Sequence, residues 1–521
     1  MTRYFLLIFC ILVYLPLIGQ NSDNRLSLER KYDLKQIFQG HVFTDDTGHY
    51  LYLNQYHHLE SGTPGGQASV IFEKYDPKFN LIYSKDLESF EPQAHSVGIT
   101  HFNGHFFWMW KKRTNGNSPI ELNLTQISPE GEAGRTILVG KSQFDSGYTM
   151  PETEWKTSYD GSKLFMMTTF DQDEGNRKIN LHIAILNEQL ESLNVHQYEL
   201  PYTEKQIDIQ KWTVDNNGNV YLLAKVYVDN RGKETKRNDE WLAAYDMILF
   251  RFGQGSTSAV ESILNLEGVF TKVADIEISP QGELYGAGLF SNKPNGNIQG
   301  LFFLKIDPLN GSVITQTKKE FSKADFDRMN SKYLGITEGK LGLDLMFQIG
   351  DILFLENGSI FITIEKNTGG LNVDASGGGA MSYRSTDIIV FHFEGGGRFK
   401  EIYIIPKDQF SDAGGFLGHI AFSHKEKVYF IYNESKNNLK KTIDSPHSMV
   451  QFLEKAVVVV TSIDTKGTIE RSPLMDANVI GRPIAIEYCS LIDHDSLFFV
   501  TKKSKFLTTY LQFGQIPLPK L

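Results

Sequence analysis

KWTVDNNGNVYLLAKV, residues 211–226, carries the pattern that decides the fold. A β-rich run ends in Val214, a polar turn follows at Asp215, Asn216, Asn217 and Gly218, and a second run places Val220, Leu222 and Ala224 on one face. The Asn-Gly step supplies a residue able to adopt positive φ, and the flanking β-branched and aromatic residues favour a pleated, half-buried surface. The stretch reads as a β-hairpin.

Seven further turns resemble it, at Gly48 (TDDTGHYLYL), Gly104 (THFNGHFFWMW), Gly161 (SYDGSKLFMM), Gly282 (ISPQGELYGAG), Gly358 (FLENGSIFITI), Lys425 (FSHKEKVYFIY) and Asp495 (LIDHDSLFFV). With Gly218 included, successive separations are 56, 57, 57, 64, 76, 67 and 70 residues. A repeat of this length with strand content is the signature of propeller blades. Each period runs strand, tight turn, strand, longer loop, strand, tight turn, strand; the third strand and the second turn are clear within residues 70–85, 122–138, 182–198, 247–263, 301–316, 388–404 and 457–472. The expected fold is therefore all-β, a β-propeller of about eight four-stranded blades, with seven as the alternative.

The eighth unit runs out of chain after FLTTYLQF, residues 506–513. Its fourth strand is expected from the N-terminal segment LSLERKYDLKQIF, residues 26–38, which would close the ring and remove two open sheet edges. One segment, residues 321–348, breaks the repeat: Ser322 stands as a helix N-cap, and Phe326, Met329 and Tyr333 follow at helical spacing. A short helical insert packed as a plug or cover on one face is expected there.

Residues 1–20, MTRYFLLIFCILVYLPLIGQ, read as a secretory signal peptide, because the apolar run is too short to span a bilayer and is broken by Pro16. Phe9 before Cys10 stands where a lipidation site needs a small residue. Residues 21–521 are expected to form one propeller domain in the periplasm, at the outer surface or outside the cell. Only Cys489 remains in that part, so no internal disulfide can form. The net charge of −10 disfavours nucleic-acid binding. The Asn-X-Ser/Thr matches at Asn123, Asn310, Asn357 and Asn433 would matter only in a eukaryotic secretory pathway.

Three stretches, YDPKFNLIYSKDL, the insert followed by DILFLENGSIFITIEKN with its acidic Glu365, and STDIIVFHFEGGGRFKEIYIIPK with KVYFIYNE, resemble a group of uncharacterised exported bacterial propeller-like proteins. The resemblance covers most of residues 30–513 and implies export and a propeller-like fold. It brings no activity to any residue. SYDGSKLFM, residues 158–166, looks like the Ser-Pro-Asp-Gly turn of peptidase-associated propellers, but Tyr159 replaces the proline, and no sialidase Asp-box is present.

Common signatures of serine hydrolases, nucleotide-binding loops and zinc sites are absent. Asn103-Gly104 turns the chain between His101 and His105 and puts them on opposite strands. His57-His58 read as part of a solvated loop, FDQDEGN as a polar hairpin loop lacking the twelfth-position Glu of a calcium site, and Asp493-His494-Asp495 as a tight turn. No cofactor or metal is expected, and catalytic residues are unknown.

The informative signal is where the length goes. In an up-and-down meander the first-to-second and third-to-fourth turns fall on one face of the disc and the remaining connections on the other. The first set is tight; the second holds residues 54–68, 229–245, 365–387, 433–455 and 141–155 and the insert. Long loops on a rigid scaffold are the usual place for binding. That face carries Tyr148, Glu152, Trp155, Trp241, Tyr245, Tyr383 and Arg384, types enriched at recognition sites, as candidate ligand-binding residues. The expectation is a binding or scaffold propeller for a protein or envelope-glycan ligand. The alternative is a propeller enzyme acting on carbohydrate or another polymer, with paired carboxylates at the channel mouth.

Overall fold

In the computed structural model the structure describes residues 25–518, except 27–29, 34–35, 59–63, 93, 114–118, 143–151, 171–177, 188, 190, 229–234, 238–239, 267–268, 330–333, 338–339, 374–378, 412–413, 444, 446, 451–455, 477–482, 493–495 and 506–507. Residues 1–20, expected to be a signal peptide, lie outside the described residues.

The chain forms eight antiparallel meanders of four strands. Blade 1 comprises Gln36–Asp45, Gly48–His58, Pro64–Tyr75 and Leu81–Asp86; blade 2, His95–Phe102, His105–Arg113, Ile120–Ile127 and Ala133–Ser142. Blade 3 comprises Glu152–Thr157, Lys163–Phe170, Lys178–Asn187 and Ser192–Thr203; blade 4, Ile207–Val214, Val220–Tyr227, Tyr245–Phe252 and Val260–Leu264. Blades 5, 6 and 7 begin at Phe270–Ile278, Phe347–Phe354 and Ile420–His424. Blade 8 comprises Ser490–Ile492, Ser496–Lys505, Thr508–Pro517 and, on its outer edge, the N-terminal strands Arg25–Leu26 and Arg30–Asp33. The ring is thus closed by the expected N-terminal segment. That closing strand is shorter than expected: Gln36 onward already pairs with His57 and its neighbours in blade 1.

Side-chain alternation explains the ring. In His105–Arg113, Phe106, Trp108 and Trp110 pack with Tyr50, Tyr52 and Phe72 of blade 1, while Phe107 and Met109 pack with Leu164 and Met166 of blade 3. A strand apolar on both faces has to sit between two other sheets. The same arrangement fills every gap between neighbouring blades, and the last joins Phe498 and Phe513 of blade 8 to Leu51 and Tyr75 of blade 1. Each fully buried side chain of this size contributes about 1.5–3 kcal/mol. First strands of blades 2 to 7, and those of blades 8 and 1, touch in succession around the centre.

The turn glycines Gly104, Gly161, Gly218, Gly282 and Gly358 have φ between 68° and 84° apart from 89° at Gly218, and Lys425 occupies the same conformation at φ 52°. Asp215 orders the turn of residues 215–218: its carboxylate accepts from the Asn217 and Asn219 amides at 2.9 and 2.8 Å. The turn centred on residues 493–495 lies outside the described residues.

The insert differs from expectation. Its helix is confined to Lys323–Arg328, with Ser322 and Asp325 forming a reciprocal capping box. Met329 is already extended, and a hairpin of Leu334–Thr337 and Lys340–Leu343 follows; Tyr333 lies outside the described residues. Phe326 and Met329 are buried with Phe391 and Ile402, and Arg328 donates to the Ile402 carbonyl at 2.9 Å. The helix fills the gap between blades 5 and 6 rather than covering a face.

Three connections expected to be loops contain paired strands: most of residues 54–68 belongs to Gly48–His58 and Pro64–Tyr75, which pair with each other. Residues 365–387 extend blade 6 as a hairpin, with Ile360–Val373 running on against Gly379–Ser385, and residues 229–245 contain the hairpin of Thr235–Arg237 and Glu240–Leu242. Continuing the ladder satisfies backbone groups that an irregular loop of that length leaves to water.

Candidate functional site on the long-connection face

A cavity of about 350 Å³ opens between blades 3 and 4 at the strand ends that feed the long connections. Glu154, Glu204 and Asp208 stand on its wall with Met167, Ile179, Ile207 and Ile209, and Trp212 closes it. Trp212 is buried, and its indole N–H donates to the Glu154 carboxylate. Its ring therefore holds a wall in place and leaves no stacking platform.

Beside this cavity the first strands of blades 3, 4 and 5 bring alternating charges together. Lys156 lies 3.5 Å from Glu277, Thr213 donates to Glu277 at 2.6 Å, and Lys211 lies 3.3 Å from Asp275. Burial pushes the Asp275 carboxyl up to about 6, against the pull of Lys211 and Lys156.

Across the ring, Glu365 is the centre of a buried polar network between blades 6 and 7. Its carboxylate accepts from Ser385 and Lys407 and, at 2.8 Å, from His419 Nδ1. Lys407 also donates to Ser385 at 2.6 Å and to Gln409 at 3.3 Å, and His419 Nε2 lies 3.7 Å from Asp351 on the first strand of blade 6. Burial opposes the ionised form of Glu365, but Lys407 and His419 outweigh it and hold the carboxyl well below the usual range. Burial likewise lowers the Lys407 ammonium, whereas for His419 the pull of Glu365 and Asp351 overcomes burial and raises the imidazole. Ser385 and Lys407 are fully enclosed, so this hydroxyl and amine have no path to a substrate. The network braces the projecting hairpin.

A second network does the same in blade 7. Glu434, also fully enclosed, accepts from Asn438 at 2.8 Å, with His447 Nδ1 at 3.1 Å and Arg471 at 3.7 Å. Arg471 donates to the carbonyls of Asn438 and Lys441 at 2.6 and 2.9 Å, pinning the connection that follows Lys427–Ser435. Asn433 is buried, with its amide spent on the Phe416 and Ile484 carbonyls.

The residues singled out in the sequence are dispersed. Tyr148 lies outside the described residues; Glu152 and Trp241 lie in described strands, but their side chains do not. Trp155 is half-buried and lies over Gly98 of blade 2, its ring 6.4 Å from that of His41 in blade 1. Tyr245 is buried, and its hydroxyl donates to the Thr271 carbonyl at 3.2 Å. Tyr383 and Arg384 share the projecting hairpin; Tyr383 lies against Gly369, and Arg384 forks onto Asp408 at 2.9 and 2.8 Å. His101 and His105 lie on paired strands, as expected.

Sequence reading missed Glu154, Glu204 and Asp208, and all partners of Glu365. Spacing offered one signal: Lys111, Lys225 and Glu365 each stand seven residues after the turn glycine of their blade. Among the described residues no group of three or more His, Cys, Asp or Glu side chains is arranged to hold a metal ion, and no helix is long and apolar enough to cross a membrane.

No protein-family model matches the chain, and comparison with curated protein sequences returned no match. Among solved structures, the chain is similar to a protein of unknown function from Bacteroides caccae, at 10% identity over 65% of this chain and 92% of that one, TM-score 0.26. It is also similar to the β-propeller domain of the Trilobed protease from Pyrococcus furiosus, at 9% identity over 86% and 98%, TM-score 0.36. A third likeness is to the Synechocystis apocarotenoid oxygenase, at 11% identity, spanning 65% of this chain and 66% of the oxygenase, TM-score 0.30.

Proposed function

We propose that this chain is an exported bacterial binding propeller that recognises a protein or cell-envelope ligand through its long-connection face. The observation that carries the reading is the construction of that face. One side opens the cavity between blades 3 and 4, and the other is made rigid by the buried networks of Glu365 and Glu434. Locked side chains lower the entropic cost of association, which is what a recognition surface needs. Val228, Leu345, Met346 and Phe410 add exposed apolar area at strand ends on the same face.

The enzymatic alternative keeps one supporting observation, the three carboxylates Glu154, Glu204 and Asp208 on one cavity wall. Glycoside hydrolysis needs a carboxyl pair about 5–10 Å apart flanking the substrate. Glu154 already accepts the Trp212 N–H, which favours a structural task for it. Capture of partners by the purified mature protein from its own envelope fraction, with washed glycans assayed in parallel for retention and cleavage, tests both readings. A retained partner without turnover supports binding, turnover abolished by Asp208→Asn supports the enzyme, and failure to retain anything removes the binding reading.

A further inference from the structure

Six Asn-Gly steps punctuate the chain, at Asn103, Asn115, Asn217, Asn295, Asn310 and Asn357. Asn115 lies outside the described residues. In such a step the glycine has no side chain to block the approach of its main-chain nitrogen to the asparagine Cγ. What the fold does with that nitrogen separates the other five.

Four are tied down. The Gly218, Gly296 and Gly358 N–H groups close their turns on the carbonyls of Asp215, Lys293 and Leu355 at 3.4, 3.2 and 2.9 Å, and the Gly311 N–H donates to the Asp307 carbonyl at 2.8 Å. Two of the asparagine side chains are held as well. Asn310 Nδ2 donates to Asp307 at 2.8 Å while its Oδ1 accepts from the Ser312 amide at 2.8 Å, and Asn357 Oδ1 accepts from the Ser359 amide at 2.9 Å. Space is short too. A Cβ at Gly296 or Gly311 would fall 2.3 Å from the Ser291 or Ser262 hydroxyl oxygen, and one at Gly218 would fall 3.1 Å from Gln254 Oε1.

Gly104 differs because its turn is shorter. Phe102 and His105 pair directly, so Asn103 and Gly104 are the whole of a two-residue connection, at φ 48° and 71°. This is type I′ geometry, in which the closing hydrogen bond belongs to the flanking residues and the second central N–H points away. Among the described residues the Gly104 N–H accordingly has no acceptor. A Cβ built at Gly104 would meet nothing within 4 Å, and both turn residues are exposed.

We propose that Asn103 is a site of spontaneous deamidation, the one among the described Asn-Gly steps that the native fold leaves reactive. Hydroxide takes the Gly104 amide proton, the nitrogen attacks Asn103 Cγ, the N–Cγ bond forms, and Nδ2 leaves as ammonia. Water then opens the five-membered succinimide, at Cγ to give aspartate or at the main-chain carbonyl carbon to give isoaspartate. In sum, one water is consumed and one ammonia released. A hydrogen-bonded N–H has to give up its acceptor before it can react in this way, which slows Asn310 and Asn357 most. Both products add a negative charge to the tight-turn face, and isoaspartate lengthens by one atom the main chain between Phe102 and His105. The reaction needs no ligand and is independent of the binding role proposed above.

The test ages the whole mature protein in mildly alkaline buffer made with heavy-oxygen water, digests it under acidic conditions and follows each Asn-Gly peptide by mass spectrometry. Deamidation during ageing brings in one heavy oxygen, and chromatography separates isoaspartate from aspartate. Asn103 is expected to convert about tenfold or more faster than Asn310 and Asn357, and faster than Asn217 and Asn295, with isoaspartate among the products. In urea sufficient to unfold the chain the rates converge, because every glycine N–H is then open to solvent. Equal native rates, or conversion of any of the other four ahead of Asn103, overturns the proposal. A lead for Asn103 that persists undiminished in urea assigns the reactivity to neighbouring sequence and overturns the part given to the fold.

Discussion

His419 Nδ1 donates to Glu365 Oε2 across 2.8 Å, joining blade 7 to the hairpin-bearing strand of blade 6 with both side chains almost wholly buried. Breaking such a pair leaves the other charge buried and uncompensated. Glu365→Gln is expected to cost about 3–5 kcal/mol in denaturant unfolding. His419 has its imidazole raised above 6.5 in the fold, so its contribution is complete below the unfolded value and fades as pH rises through the folded one. The stability gap between the native chain and His419→Gln is therefore wider at pH 5.5 than at pH 9, about 3 kcal/mol at the lower pH. Asp351 and Lys407 face the same pair, and a gap independent of pH would assign the stabilisation to them.

Asp275 predicts the opposite behaviour. Its folded carboxyl is pushed up to about 6 from 3.8 by burial, so the group lowers stability as pH rises from 3.8 through about 6 and the full cost is present above that. Asp275→Asn is expected to raise stability by about 1–3 kcal/mol at pH 7.5 and to change it little at pH 2.5, where both states hold the proton. Thermal unfolding at the two pH values decides it.

Trp155 fixes the spacing of three blades. A Cβ on Gly98 would fall 2.2 Å from Trp155 Cη2, nearer than two carbons can approach. Gly98→Ala is expected to destabilise by about 1–3 kcal/mol, and Trp155→Phe in the same chain to recover part of that loss. Additive losses in the double variant would show that the two positions are not in contact.

The closing strand is the fourth expectation. Removal of residues 21–33 withdraws the partner of Thr508–Pro517 and opens an edge on blade 8. The truncated chain is expected to melt lower and to associate in size-exclusion chromatography, because an unpaired edge templates further pairing. A monodisperse truncation with an unchanged Tm would contradict closure through this strand.

The sequence announced what is local and periodic. Gly104, Gly161, Gly218, Gly282 and Gly358 needed positive φ and have it, and these turns fixed the period, the blade count and the division into two faces. Lys425 marks a turn without a glycine because the unbroken β-branched and aromatic run VYFIY follows it. Residues 365–387 were read as a loop because Gly369, Gly370 and the glycines at 377–379 interrupt the apolar alternation that marks a strand. The partners of Glu365 were out of reach for another reason: Lys407 lies 42 and His419 54 residues away, and only the stacking of blade 7 on blade 6 brings them together. Tyr245 and Arg384 had the right chemistry for recognition, but their neighbours Thr271 and Asp408 engage them, which residue type alone does not reveal.

The central claim is that the long-connection face, and not the tight-turn face, receives the ligand. The most direct measurement is the amount of envelope partner retained by the native chain and by two paired variants. One pair is Val228→Asp with Met346→Asp on the long-connection face, and the other is Tyr159→Asp with Leu309→Asp among the tight turns; all four side chains are exposed. The account predicts that the first pair loses retention by about tenfold or more while the second keeps it. Equal retention by both pairs, or loss confined to the tight-turn pair, would contradict it.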